Sequence, residues 1–253
     1  MPDLRLIAAD VLKLRRRRGM LTLTLLGTLG VVALVFSVTA IQHATNPAEY
    51  GPAGGLETYR EAISIVSLLA LVAGVIVGGT AGTQDIESGM FRDLAATGRS
   101  RTALFLSRVA GALAVVLPIV LVTALAVAAG SIALKADLPG PDAGTLLSGT
   151  AQMLTAGALS TAIAVGVATV VGSRGPVIGI LLAFFLGISP LLQGIAFLGD
   201  TRQLVPEVAI NRIGDLSTAP DMHVALGTAI AVVLGWIAVS LAAGAWRTKT
   251  REI

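Results

Sequence analysis

The chain has 253 residues, 55% hydrophobic and 13% charged, with a formal net charge of +3 and no cysteine. Ordinary water-soluble domains are about a quarter charged, so this composition excludes that class. The lack of cysteine excludes disulfides and thiolate metal sites.

All Asp, Glu, Lys, Arg and His residues fall outside six apolar runs, at 21–41, 62–83, 109–134, 146–171, 177–198 and 224–245. Each run exceeds the roughly 20 residues a helix needs to cross about 30 Å of hydrocarbon. A charge at the bilayer centre costs roughly 2.5–3.5 kcal/mol, which explains the exclusion. The runs are too long for barrel strands, and isolated strands would leave backbone groups unpaired in lipid. The expected fold is an all-α polytopic membrane protein with six transmembrane helices.

Fourteen of the 18 Lys and Arg residues lie in alternate connecting segments: the N-terminus, 84–108, the turn at 172–176 and the C-terminal tail. The other side holds only Arg60, Lys135, Arg202 and Arg212, with most of the acids. The positive-inside rule then makes both termini and the 84–108 segment cytoplasmic. The basic balance reports orientation and requires no nucleic-acid partner.

Before the first run, Leu4, Ile7, Val11 and Leu14 recur at three- and four-residue spacing. This predicts an amphipathic helix on the inner membrane surface. Arg15, Arg16, Arg17 and Arg18 would sit against anionic lipid headgroups. Val38-Thr39-Ala40 resembles a signal-peptide cleavage site. The run before it is longer than the usual 7–15 apolar residues, so an uncleaved first span is expected.

In span 2, Gly74, Gly78 and Gly82 form a stripe for close helix contact, as do Gly227, Ala231 and Gly235 in span 6. Packing within one subunit is the expected use, with a dimer seam as the alternative. After span 2, Ile86, Met90, Phe91 and Leu94 make one apolar face of a short helix. Asp85 and Glu87 suit its N-terminal end and Gly98 its stop. Spacing alone leaves it open whether this face packs on the protein's own helix ends, on lipid or on a partner.

Pro118 and Pro190 predict kinks in spans 3 and 5. Polar groups within spans include Gln152, Thr155, Ser160 and Thr161 in span 4 and Gln193 in span 5. Such side chains usually bond to neighbouring helices. Gln152, Thr155 and Gln193 are the candidate translocation-path residues, and a path this sparsely polar favours hydrophobic or amphipathic cargo. Segment 201–221 mixes Val205, Val208, Ala209, Ile210 and Ile213 with polar residues, which predicts a short amphipathic or re-entrant element. Tyr50 and Tyr59 fit an outer interface, and Trp246 an inner one. His43 and His223 have no companions that would make a metal site.

Four features in order resemble a permease subunit of the ABC-2-type exporter family, the type V ABC exporters. Lys13-Leu14-Arg15-Arg16-Arg17-Arg18 precedes six spans. Span 2 enters Glu87-Ser88-Gly89, followed by Leu94-Ala95-Ala96-Thr97-Gly98-Arg99-Ser100-Arg101. The turn between spans 4 and 5 is very short, and Leu204-Val205-Pro206 precedes span 6. One departure is Met90, where many relatives carry Thr.

The resemblance covers essentially the whole chain, as one transmembrane permease domain over 1–253. It implies a two-copy permease, homodimeric or heterodimeric, with two cytoplasmic ABC ATPase subunits in a bacterial cytoplasmic membrane. Segment 84–98 would be the coupling helix, with Asp85, Ile86, Glu87, Gly89, Met90, Phe91, Arg92 and Leu94 as its ATPase-coupling residues. Segment 201–221 would be an outer gate.

None of Lys13, Lys135 and Lys249 follows a glycine, so the phosphate-binding Gly-Lys-Ser/Thr pattern is absent. ATP and Mg are therefore expected in the partner ATPase, with no cofactor bound by this chain and no catalytic residue in it. An ion-coupled carrier would need ionisable groups near the midplane, and an intramembrane enzyme an acid, base or nucleophile pair there. The runs offer neither. A non-transporting scaffold or signalling permease-like subunit stays open as the alternative.

Overall fold

The computed structural model describes residues 4–89, 100–215 and 223–250. All regular structure among them is helical. An N-terminal helix, Leu4–Arg16, precedes span 1. Six helices are long and apolar enough to cross a membrane: Arg18–Thr45, Leu56–Glu87, Arg101–Ala133, Ala143–Val171, Arg174–Gly194 and Leu226–Thr250, taken as spans 1 to 6. Each falls on one of the six charge-free runs.

The helices overrun the apolar runs where charged residues can reach the ends of the bundle. Span 2 takes in Glu57, Arg60 and Glu61 at one end and Asp85 and Glu87 at the other. Span 3 starts at Arg101, capped by Ser100, whose Oγ accepts from the Ala103 amide at 3.2 Å. Span 4 starts beside Asp142, whose Oδ1 accepts from the Thr145 amide at 2.8 Å. These caps take up amides that a helix start leaves unpaired. Span 4 ends at Gly172, whose φ of 82° is a left-handed conformation that glycine adopts without strain. Span 5 begins at Arg174 directly after Ser173.

Span 4 is the centre of the bundle and packs against spans 2, 3, 5 and 6. Its closest partner is span 2, because the Gly74–Gly78–Gly82 stripe faces it. A Cβ on Gly74 would collide with Ser160 Oγ. On Gly78 it would lie 2.6 Å from the Thr161 carbonyl oxygen, and on Gly82 2.5 Å from Ala168 Cβ. On another face of span 4, Gly166 meets the Ser240 carbonyl of span 6. Gly244 of span 6 is closed off by the Phe105 ring and by Gly166 itself. Two hydroxyls of span 4 in this core stay in their own helix. Ser160 donates to the Ala156 carbonyl at 2.8 Å and Thr161 to the Gly157 carbonyl at 2.6 Å. Their burial therefore leaves no donor unpaired.

The span 6 stripe behaves differently. Gly227, Ala231 and Gly235 are exposed, and a Cβ on Gly227 or Gly235 would meet nothing within 4 Å. Span 6 packs inward through Ala229, Val232, Val233, Ser240 and Gly244 instead. Its outward face carries a shallow apolar groove of about 560 Å³, which includes Ala231, Gly235, Trp236 and Val239.

Span 3 remains one helix through Pro118. In span 5, a π turn at Phe184–Ile188 comes just before Pro190. A wider turn there accommodates a residue that cannot donate to the preceding turn. Span 5 stops at Gly194, short of the end of its apolar run, and a 3-10 segment, Ala196–Leu204, follows. Tyr59, expected at an interface, is 1% exposed. Its hydroxyl donates to the Leu146 carbonyl at 3.3 Å, tying span 2 to span 4.

Gly78→Val should destabilise the protein by about 1–3 kcal/mol through overpacking. Gly235→Val should leave stability unchanged. Unfolding of the detergent-solubilised monomer measures both.

Candidate functional site

The basic end of the bundle is organised around one carboxylate. Asp85, in the last turns of span 2, is 4% exposed. Its Oδ2 accepts from Nε of Arg108 at 3.1 Å, and its Oδ1 from Nζ of Lys13 at 3.1 Å. Arg108, in span 3, is 3% exposed. Lys13 also reaches Asp10 at 3.3 Å, and Asp10 accepts from the Ser107 hydroxyl at 2.7 Å. The N-terminal helix, span 2 and span 3 are thus joined by a chain of charge-assisted bonds.

Spacing and charge preference put Asp85 at the start of a separate helix, and the structure corrects this. Asp85 lies at the C-terminal end of span 2, where the helix dipole disfavours an anion. Two cations outweigh that term at this site. Arg108 could not be buried without an anion, and Lys13 and Asp10 turn inward to complete the pairing. Leu14, also on the N-terminal helix, is buried against the bundle, while Leu4 is 81% exposed.

Ile86 and Glu87 form the end of span 2, half-buried and exposed respectively. Glu87 Oε1 accepts from the backbone N–H of Arg174 at 2.7 Å, linking span 2 to the start of span 5. Gly89 follows in a left-handed conformation, with φ of 72°. Met90, Phe91, Arg92 and Leu94 lie outside the described residues. Arg15, Arg16 and Arg18 are exposed and Arg17 is half-buried, at the break between the N-terminal helix and span 1. At the same end, Arg101 donates to the Lys249 carbonyl at 3.1 Å, joining span 3 to span 6.

The acidic end holds a second cluster. Beyond span 5, a short helix, Pro206–Ile213, folds back between the spans and packs on spans 4 and 6. Val208, Ala209 and Ile210 are at most 2% exposed. The amide of Gln152, nine residues into span 4, donates to Asn211 Oδ1 at 3.2 Å. At 1.5 Å per residue this contact is roughly 14 Å below the start of the helix. Trp236 Nε1, at a similar depth in span 6, donates to the Leu204 carbonyl at 2.9 Å. The segment thus turns back into the end of the bundle, re-entrant in that geometric sense.

It carries Glu207 inward with it. Glu207 Oε2 accepts from Ser189 Oγ and from Gln193 Nε2, both at 2.8 Å. Burial pushes this carboxyl above the usual glutamate range, and the two hydrogen bonds draw it back only in part. Near the surface, by contrast, the hydroxyl and amide of Thr145, with Arg60 nearby, hold the Asp142 carboxyl below its usual range.

Of the candidate path residues, Gln152 and Gln193 are both occupied by the re-entrant segment, and Thr155 is half-buried. Sequence reasoning missed Glu207. The clue was an acid followed directly by Val208, Ala209 and Ile210, flanked by the helix-starting Pro206. His43 Nδ1 lies 2.8 Å from the Tyr50 carbonyl oxygen. The described residues hold no group of three or more His, Asp or Glu that could bind a metal.

A helical bundle of six such spans, with charge only at its ends, defines a multi-pass membrane protein. The family model for ABC-2 family transporter proteins matches residues 6–190, and the chain belongs to that family. It is a membrane permease component, and permeases of this family generally pair with separate ABC ATPase subunits. A comparison with the curated proteins finds no match. The family match covers the Asp85 junction and ends before the re-entrant segment.

Asp85→Asn should cost about 3–5 kcal/mol, because it removes the buried carboxylate that Arg108 and Lys13 share. Replacing Asp85 and Arg108 together by leucine should recover most of that loss. Chemical unfolding of the two variants against the parent checks both.

Proposed function

We propose that the chain is the transmembrane subunit of an ATP-binding-cassette exporter, driven by a separate cytoplasmic ATPase. Two permease subunits and two ATPase subunits form the working assembly. The basic end faces the cytoplasm of a bacterial cell and the acidic end faces outward, as the positive-inside rule requires. The cargo is hydrophobic or amphipathic, consistent with spans that present almost no charge.

The observation that carries this reading is the Asp85 junction. An ATPase can move spans only through a lever with different contacts in two states. Segment 84–98 emerges from span 2 where that helix is bonded to the N-terminal helix, to span 3 and, through Glu87, to span 5. A push on the segment is therefore shared by several spans rather than lost in one. Ile86, Met90, Phe91 and Leu94 supply apolar burial in the ATPase groove, while Glu87 and Arg92 set its register. Segment 201–221 is the outer gate.

The chain should copurify with a soluble P-loop protein and show no ATP hydrolysis alone. Robust hydrolysis by the isolated chain would overturn the assignment. Phe91→Ala, Glu87→Lys and Arg92→Glu should each abolish ATP-driven transport in vesicles while leaving membrane insertion intact. Phe91→Ala is the cleanest, since it leaves the Glu87–Arg174 contact untouched. Full transport by all three would remove the coupling role from this segment.

A further inference from the structure

Glu207 is a carboxyl in a place built for a neutral group. It is 9% exposed, on a helix whose neighbouring residues Val208, Ala209 and Ile210 are almost wholly buried. Both of its hydrogen-bond donors, Ser189 and Gln193, are neutral, and both act on Oε2. Oε1 is buried with no hydrogen-bond partner among the described residues.

The charged groups on the elements packed around it make other bonds. Spans 4 and 5 contribute no charge near it, and the cations of span 6, Arg247 and Lys249, are at the far end. On the preceding 3-10 segment, Asp200 accepts from Gln203, and Arg202 donates to the carbonyls of Gly199 and Gln193. On the same helix, Arg212 donates to the Val224 carbonyl and to Asp215. An ionised carboxylate here would trade full hydration for two neutral hydrogen bonds. A protonated one fits the site.

We propose that Glu207 is a proton-binding site that links seating of the outer re-entrant helix to external pH. Seated against spans 4, 5 and 6, the helix holds Glu207 as the neutral acid. When the helix leaves, the carboxyl meets water. Its O–H bond then breaks, the electron pair stays on the carboxylate oxygen, and the proton passes to water. Reseating takes one proton back from the outer solution.

The sign follows from linkage. The seated carboxyl binds its proton more tightly than one in water, so the proton-linked stability of the seated helix is complete below the ordinary glutamate pKa of about 4.3. It is lost as pH rises from there through the seated value. A rise in external pH through that window therefore favours the open gate. This inference rests on the reading of segment 201–221 as an outer gate.

The cysteine-free chain makes the test direct. Ala209→Cys places a thiol on the buried face of the re-entrant helix. Its labelling by a membrane-impermeant maleimide is followed in vesicles carrying the full assembly, with the outer face exposed. At each pH the rate is divided by that of the Glu207→Gln, Ala209→Cys variant, so that thiolate chemistry cancels. The ratio should rise with pH, by up to about tenfold per unit as one proton is lost. A ratio that stays flat overturns the proton site.

Adding ATP separates the two readings. If labelling responds to ATP but its ratio does not respond to pH, the gate stands and the proton site falls. A pH response without an ATP response keeps the proton site and removes the gate. No response to either removes both. Infrared difference spectra of the parent against Glu207→Gln, at a pH just above the ordinary glutamate range, supply a check independent of labelling. The carbonyl band of a protonated carboxylic acid should be present in the parent and lost in the variant, and its absence from the parent would overturn the proposal.

Discussion

Spans 2 and 4 approach until the glycines of one meet the backbone and short side chains of the other, and the rest of the bundle is arranged around that crossing. In lipid the hydrophobic effect does not drive helices together. Close van der Waals contact does most of the work, and it needs residues small enough to permit it. Gly74, Gly78 and Gly82 leave no room for a Cβ. With span 2 fixed on one face of span 4, spans 3, 5 and 6 take the remaining faces. Gly166 and Gly244 repeat the same device where spans 4 and 6 cross.

The polar groups obey the complementary rule. Within the core crossing, Ser160 and Thr161 turn back onto their own helix. At the basic end they form ion pairs that tie one element to another, with Asp85 shared between a lysine and an arginine. A buried ion pair is weak evidence for stability, since desolvation offsets much of the attraction. Its stronger consequence is geometric, because Asp85, shared by Arg108 and Lys13, admits few positions of spans 2 and 3 and the N-terminal helix that keep both bonds. The same rigidity suits an end of the bundle that would receive force.

The spans were legible in the sequence because hydrocarbon excludes charge so severely that the pattern needs no tertiary information. The glycine stripes were legible as a class but not by partner. Span 6 repeats the small-residue spacing of span 2, yet Gly227 and Gly235 face outward while Gly78 is enclosed. Spacing defines a helix face, and only the packing of other helices decides whether that face is covered. Asp85 was noticed and misplaced, since its assignment to a separate helix followed local charge preference. The structure extends span 2 through it, because Lys13, 72 positions away, supplies charge from elsewhere. Glu207 stayed hidden for a related reason. Its environment is set by Ser189 and Gln193 across a chain reversal, which the exclusion of charge from the apolar runs does not reveal.

The join between spans 4 and 5 has a mechanical consequence. Only Gly172 and Ser173 separate the two helices, and the Arg174 amide is also held by Glu87 of span 2. Span 5 is therefore pinned at its basic end to both members of the central crossing. Any displacement of it relative to that pair is a swing about this pin, smallest there and largest at the opposite end. The far tip of the arc carries the π turn, Ser189 and Gln193. A small rotation at the pin would thus arrive at the carboxyl of Glu207 already amplified by the length of the helix.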